Sequence, residues 1–237
     1  MTPSISLLFL TMNRLGIVAR CFRSLAPTLA RGDVEWLIVD NASTDGTATW
    51  LRALATRYPE RVHVLLSAVN TGVAGGRQIL LDHARGETLI ILDSDVEARR
   101  ADWLDRLITP LAIPDVWIAG PGGCFVVPDW TDYEAAPRGY VGEVDVCSGY
   151  CQAWKHEAFE RGVQMDMAYN PRWHEDSDTC LQARALGGRV WNTGDVGLFH
   201  LFSHTGDDGT SWDKQRYLAS KWRGKGLIRA EREAVTA

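Results

Sequence analysis

"LIILDSDVEA", residues 89–98, runs through four apolar residues, Leu89 to Leu92, and then carries two carboxylates, Asp93 and Asp95, with only Ser94 between them. The apolar run reads as a buried strand. Two anions that close repel each other unless a positive group stands between them. A hard divalent cation, held partly by carboxylates and partly by a ligand's phosphates, would supply that charge. The plain alternative is that both aspartates cap a turn ahead of a helix over 101–110.

Upstream of this stretch, strand and helix patterns alternate. "ISLLFL" (5–10), "WLIVD" (36–40), "VHVLL" (62–66) and "TLIIL" (88–92) read as strands. Between them, Ile17, Val18, Cys21, Phe22, Leu25 and Leu29 set a helix over 16–30. "STDGT" (43–47) caps a second helix through about Tyr58, which Pro59 stops. A glycine-bearing loop from Asn70 to Gly76 leads into a third, through His83. Such alternation predicts an α/β fold: a Rossmann-like, mostly parallel sheet with right-handed crossovers and helices on both faces. After about residue 112 the pattern loosens. Gly, Pro and aromatics dominate 116–147, a helix runs from near Asp176 to Leu186 with Gly187-Gly188 as its stop, "VGLFHLF" (196–202) reads as a strand, and the basic tail from Trp212 as helical. The expectation is one domain over 1–237, with a regular half to about 112 and an irregular half over 113–237.

In open parallel sheets a ligand lies beyond the carboxyl ends of the strands. Three strand ends are polar there, giving Thr11, Asn13 and Arg14, then Asp40 and Asn41, then Asp93 and Asp95. No Walker loop is present, and "TMNRLG" stands where a dinucleotide fingerprint would follow the first strand. An EF-hand from Asp93 fails, because Ala98 and Leu104 hold its glycine and glutamate positions. "HED" (174–176) lacks the second histidine of H-E-x-x-H, and there is no G-x-S-x-G elbow.

Totals exclude other classes. The chain has 237 residues, 46% apolar and 23% charged, with a net charge of −5. That balance carries no nucleic-acid footprint, and no apolar run is long enough for a membrane span. With no signal peptide in view, a cytoplasmic protein is expected. Five scattered cysteines read as free thiols. A zinc site from Cys147, Cys151 and His156 lacks a supporting second cysteine pair.

Seven stretches in order resemble the inverting, GT-A-fold glycosyltransferases of family 2: "FLTMNR", "LIVDNASTDGT", "NTGVAGGRQ", "LIILDSDVE", "CSGYCQAWKHEAF", "HEDSDTCLQARALGGRVW" and "DKQRYLASKW". The resemblance runs from Ser4 to about Trp222. It implies a nucleotide-binding half to about 112 and an acceptor-side half beyond. It implies that Asp40 hydrogen-bonds the base, that Thr11, Arg14 and Arg77 edge the nucleotide pocket, and that Asn13, Asn41, Asn70, Gly72, Ser94 and Glu175 belong to the donor site. Asp93 would lie near ribose and metal, Asp95 and His200 would ligate Mn²⁺ or Mg²⁺, and Asp176 would be the catalytic base. Lys221 and Trp222 would close over diphosphate or acceptor. Departures are Gln78, where the family often has Asn, the "WHED" that opens the acidic motif, and a longer "GVQMDMAYNPRW" link.

The activity so implied is metal-dependent, inverting transfer of a sugar from a nucleoside diphosphate donor, UDP first, to a hydroxyl of a glycan, glycolipid or other acceptor. The alternatives are a sugar nucleotidyltransferase and a non-catalytic nucleotide-sugar or glycan-binding module. Among the ten tryptophans, Trp173, beside the expected base, is the candidate for stacking on a sugar. His204 competes with His200 for the metal. The basic tail suits diphosphate, an anionic membrane's inner face, or simply solvent.

Overall fold

The computed structural model describes residues 3–201 and 209–236. Strands and helices alternate through β1 (Ile5–Thr11), α1 (Leu15–Leu25), β2 (Val34–Asn41), α2 (Thr47–Arg57), β3 (Val62–Ser67), α3 (Gly72–His83) and β4 (Thr88–Asp93). Then come β5 (Val96–Ala98), α4 (Trp103–Ile108), β6 (Val116–Gly120), β7 (Gly123–Val126), β8 (Tyr133–Ala135), β9 (Gly142–Val144), β10 (Val146–Cys147), β11 (Cys151–Lys155) and α5 (His156–Glu160). The chain continues with α6 (Glu175–Ala185), β12 (Arg189–Asn192), β13 (Leu198–His200), α7 (Ser211–Trp222) and α8 (Arg229–Thr236).

The central sheet has eight strands in the order β3-β2-β1-β4-β11-β6-β12-β9. The four strands of the first half are mutually parallel, and β11 enters antiparallel between β4 and β6. Both faces are apolar. Ile5, Leu7, Phe9, Trp36 and Ile38 pack under α1 and α2, while Leu8, Leu37, Val39 and Ala74 pack on the other side. Burial on two faces is why these strands read as unbroken hydrophobic runs. Register brings Thr11 beside Asp40 and Leu10 beside Asp93, so the polar strand ends converge at one edge of the sheet.

Three boundaries differ from expectation. The helix over 16–30 ends at Leu25 and gives way to a 3-10 turn over Ala26–Ala30, where Pro27 brings no backbone N–H. Helix α3 begins at Gly72, inside the expected loop. Its glycines are there for close approach, since a Cβ on Gly76 would stand 2.3 Å from Leu10 Cδ1. Of the strand expected over 196–202, Leu198–His200 forms, paired at an edge with β5, and Phe202 lies outside the described residues. Helix α6 stops as expected: Gly187 takes φ 93°, and Gly188 N–H reaches back to the Ala183 carbonyl at 2.9 Å. Among the described residues no helix is long and apolar enough to cross a membrane.

Candidate active site

The loops at the strand ends are fastened by side chains. Asn13 Oδ1 accepts from Thr44 N–H at 2.8 Å, Ser43 Oγ accepts from Asn13 N–H at 2.6 Å, and Asp45 accepts from Leu15 N–H at 3.0 Å. Asn41 accepts from Thr71 N–H at 2.8 Å and donates to Asn70 Oδ1 at 2.9 Å. Asn13 and Arg14 both lie in the left-handed region, at φ 58° and 61°, conformations that asparagine tolerates and arginine adopts rarely. The cleft beyond these loops is faced by Thr11, Asn13, Arg14, Asn41, Asn70 and Gly72, and deeper in by Arg77, Asp93 and Ser94. Asp40 stands behind Thr11 and is 2% exposed. It accepts from Ser43 N–H at 3.3 Å through Oδ2. Its Oδ1 and the Thr11 hydroxyl are buried with no hydrogen-bond partner among the described residues. Buried polar atoms are rarely left so; Thr11 lines the cleft, and Asp40 is its neighbour on β2.

β4 ends at Asp93, the chain turns through Ser94 and Asp95, and β5 starts at once. β13 pairs with β5 so that His200 lies opposite Val96, and Leu201 N–H donates to the Asp95 carbonyl at 2.9 Å. This brings His200 Nε2 to 3.1 Å from Asp95 Oδ1 and 3.7 Å from Asp93 Oδ2. The Tyr150 ring stacks on the imidazole, centroids 4.9 Å apart. One ligand atom from each of the three residues lies within 4.8 Å of the others, and no other such group of three or more occurs among the described residues. Two carboxylates and an imidazole fit a first-row divalent cation. His204 lies outside the described residues. Cys147, Cys151 and His156 form no metal group: Cys147 donates to backbone carbonyls, and His156 Nδ1 is 2.7 Å from the Gly86 carbonyl oxygen.

Arg77, 5% exposed, joins the two walls of the cleft. Its guanidinium donates to Asp93 Oδ1 at 2.8 Å, to the Gly149 carbonyl at 2.8 Å and to Glu175 Oε1 at 2.9 Å. Burial raises the Asp93 carboxyl above the usual range against the pull of Arg77. Burial likewise pushes Glu175 up to about 7, with Arg77 opposing and Asp176 reinforcing.

The far wall hangs from the segment 170–174. Trp173 and His174 are consecutive left-handed residues, φ 84° and 67°, and α6 starts directly after them. Of the three acids in its first turn, each has a different neighbour. Glu175 holds Arg77. Asp178 is fully buried and accepts from Tyr169 OH at 3.1 Å, Trp222 Nε1 at 2.6 Å and Lys221 Nζ at 3.0 Å. Asp176 faces the cleft with Trp173 and the Asp93, Asp95 and His200 cluster. It is fixed by Gly149 N–H at 2.6 Å and Ser177 N–H at 2.8 Å. A Cβ on Gly149 would stand 2.7 Å from Asp176 Oδ2, so only glycine admits that approach.

Lys221 and Trp222 are a correction. Both were expected over the diphosphate or acceptor, but they turn inward: Lys221 bridges Asp178 and Asp166, and Trp222 is 7% exposed. Residues that sequence reasoning passed over are Arg172, which lines the cleft on both sides of Asp93, and Tyr133, whose hydroxyl lies 3.0 Å from His174 Nδ1. Asn170 was also missed. Its Oδ1 accepts from Ala74 N–H at 3.1 Å, its Nδ2 donates to the Thr71 carbonyl at 3.0 Å, and the Pro171 carbonyl accepts from Val73 N–H at 2.8 Å. No local pattern flags these residues, since their partners are distant in sequence.

The sequence model of glycosyl transferase family 2 matches residues 6–159. Glycosyltransferase AglE of Haloferax volcanii is 25% identical over 128 residues, 54% of this chain and 41% of its own length. An uncharacterised protein of Sinorhizobium fredii is 22% identical over 255 residues, covering 94% of this chain and 28% of itself. The chain therefore spans less than half the length of these curated relatives. Among solved structures, a mannosyltransferase from Pyrobaculum calidifontis in complex with GDP-Man and Mn²⁺ superposes with TM-score 0.67 at 20% identity, over 94% of this chain and 62% of that one. GalNAc-T7 with UDP, GalNAc and Mn²⁺ gives 0.72 at 15%, over 92% and 48%. These likenesses carry the GT-A fold.

Proposed function

The chain belongs to glycosyl transferase family 2, and from that premise we propose that it moves a sugar from a nucleoside diphosphate donor, UDP first, to an acceptor hydroxyl with inversion, residues 1–237 acting as one unit. The observation that carries this reading is the shared cleft: Asp93, Asp95 and His200 on one wall, and Asp176 with Trp173 on the other. Two structures of like fold, one in complex with GDP-Man and Mn²⁺ and one with UDP, GalNAc and Mn²⁺, support it.

In this reading the base of the donor enters between Thr11 and Asn70, where the Thr11 hydroxyl and, behind it, Asp40 Oδ1 await a donor such as the imide N–H of uracil. Arg14 and Arg172 bring positive charge to the diphosphate. Asp93, Asp95 and His200 would hold Mn²⁺ or Mg²⁺. A bound divalent cation offsets the charge that builds on the leaving diphosphate. Asp176 takes the proton from the acceptor hydroxyl, which attacks the anomeric carbon on the face opposite the leaving group. Both carboxylate oxygens already accept one backbone N–H, and each keeps a second lone pair for that proton. Trp173 supplies a flat face for the acceptor sugar. Arg77 donates to both Asp93 and Glu175 and so ties the two walls together.

The test is a thermal-shift panel of UDP, GDP and TDP with Mn²⁺, run on the wild type and on Asp40→Asn, followed by analysis of the nucleotide released on turnover. A ligand at 100 times its Kd adds about 2.7 kcal/mol of stability. UDP is expected to shift the wild type most and Asp40→Asn least. Release of diphosphate instead of a nucleoside diphosphate would mark a nucleotidyltransferase, and equal shifts in both proteins would remove Asp40 from base recognition.

A further inference from the structure

A second groove opens on the acceptor side, between the 127–132 turn and α7. It has a volume of about 460 Å³ and is lined by Trp130, Thr131, Trp212, Gln215, Arg216 and Arg223, among others. That size lies within the roughly 300–1,000 Å³ typical of small-ligand sites.

Its make-up is specific. Trp212 stands at the rim with 67% of its surface exposed, whereas Trp36, Trp103, Trp117, Trp130, Trp154 and Trp222 are buried. The floor is rigid: Trp130 is 1% exposed, its Nε1 donates to Glu231 at 3.0 Å, and its carbonyl accepts from Gln215 at 2.8 Å. Around the exposed indole stand hydroxyl, amide, carboxylate and guanidinium groups, from Thr131 and Ser220, Gln215, Asp129, and Arg216 and Arg223. Each of these groups already has one partner within the protein, but an apolar helix or an acyl chain would strip water from the Arg216 guanidinium, whose side chain is 79% exposed. A pyranose ring, with a C–H face for the indole and hydroxyls at its edge, satisfies both.

Its place is equally specific. Thr131 lies two residues before Tyr133, and Trp212 directly follows Ser211. Tyr133 hydrogen-bonds His174 and stacks on its ring at 5.9 Å, and the Ser211 main chain lies against the same imidazole. Tyr133 and His174 in turn line the pocket that reaches Asp176. The groove therefore stands on the same two segments that wall the reacting end of the acceptor.

We infer that this groove is a distal acceptor subsite, so that the acceptor is an oligosaccharide with one sugar at Asp176 and a further unit against Trp212. This rests on the glycosyl-transfer reading above. The test measures binding of chitotetraose, cellotetraose, maltotetraose and mannotetraose, with their monosaccharides, by calorimetry in the presence of Mn²⁺ and the best-binding nucleoside diphosphate. At least one tetrasaccharide is expected to bind much more tightly than its monosaccharide. Trp212→Ala should weaken that tetrasaccharide about tenfold, leave nucleotide binding and the melting temperature unchanged, and be largely restored in Trp212→Phe. A wild type that binds nucleotide but no tetrasaccharide, or a Trp212→Ala protein that binds as the wild type does, overturns the subsite. A protein that binds none of UDP, GDP and TDP overturns the glycosyl-transfer reading itself, and the subsite with it.

Discussion

The wall of the cleft that carries Thr11 and Asn41 hangs from the ends of β1 and β2, where every residue but the half-buried Leu10 is buried, and Asn70 follows the less buried β3. The wall that carries Trp173 to Asp176 hangs from an irregular segment with two consecutive left-handed side-chain-bearing residues. On the first wall, asparagine and serine side chains occupy the backbone N–H groups that turns would otherwise leave bare, and the shape follows from the sheet. On the second, shape is imposed from outside: Asn170 grips the start of α3, Asp178 anchors α6 to Lys221 and Trp222, and Arg77 reaches across to Glu175. Strained conformations of this kind persist only where surrounding contacts over-determine them. A rigid wall suits binding, and a wall held by a few anchors concentrates its vulnerability in those anchors.

The comparison breaks most visibly at Arg77. Arg77→Ala leaves Glu175 buried without its cation and Asp93 without one partner. A loss of about 3 kcal/mol is expected, at the low end for broken buried pairs because the Asp93 side chain is 37% exposed. Urea unfolding measures it, and a loss below about 1 kcal/mol would show that the walls are joined by something else. Next comes Asp176→Asn, which should cut turnover by at least about 10² while nucleotide affinity stays near that of the wild type. Near-normal turnover would remove Asp176 as the base. Asn170→Ala strands the Ala74 N–H and the Thr71 carbonyl, and about 2 kcal/mol is expected. If the anchor view holds, turnover falls more than donor affinity does, because the displaced segment carries the base. Equal losses would mean that the two walls move as one body.

The smallest expected change is a slope. Glu175 titrates at about 7 in the fold against an ordinary 4.5, so the folded state holds its proton more tightly than the unfolded chain does. Stability from this group is full below the ordinary value and is lost as pH rises through the folded one. Unfolding free energy should therefore fall between about pH 4.5 and 7, and Glu175→Gln should flatten that part of the profile.

The same contrast governs what could be read from residue order. Apolar runs buried on both faces announced β1, β2 and β4, and the polar residues that end them announced the donor side. Gly72, Gly75 and Gly76 signalled a loop but sit inside α3, because the fact that decides it, contact with Leu10, Thr71 and Asn170, is tertiary. "HEDSDTC" offers three carboxylates at adjacent positions, and nothing local says that one holds Arg77, one holds Lys221 and Trp222, and one is left facing the cleft. Lys221 and Trp222 looked like ligand-facing residues because a basic-aromatic helix end reads alike whether its partner is a phosphate or a buried aspartate. Asp40 and Asn41 were placed together, but Asn41 lines the cleft while Asp40 is buried beside Thr11, at 2% exposure.

The pairing of β13 with β5 has a consequence in time. Asp93 and Asp95 emerge in synthesis beside the completed parallel strands, while His200 follows about a hundred residues later, and contacts of such long sequence separation form late. A nascent chain thus completes its parallel strands well before the histidine that closes the Asp93 and Asp95 cluster. Until the edge strand docks, Arg77 already stands against Asp93 but His200 is missing, so the three-residue cluster is complete only with one of the last strands to be made.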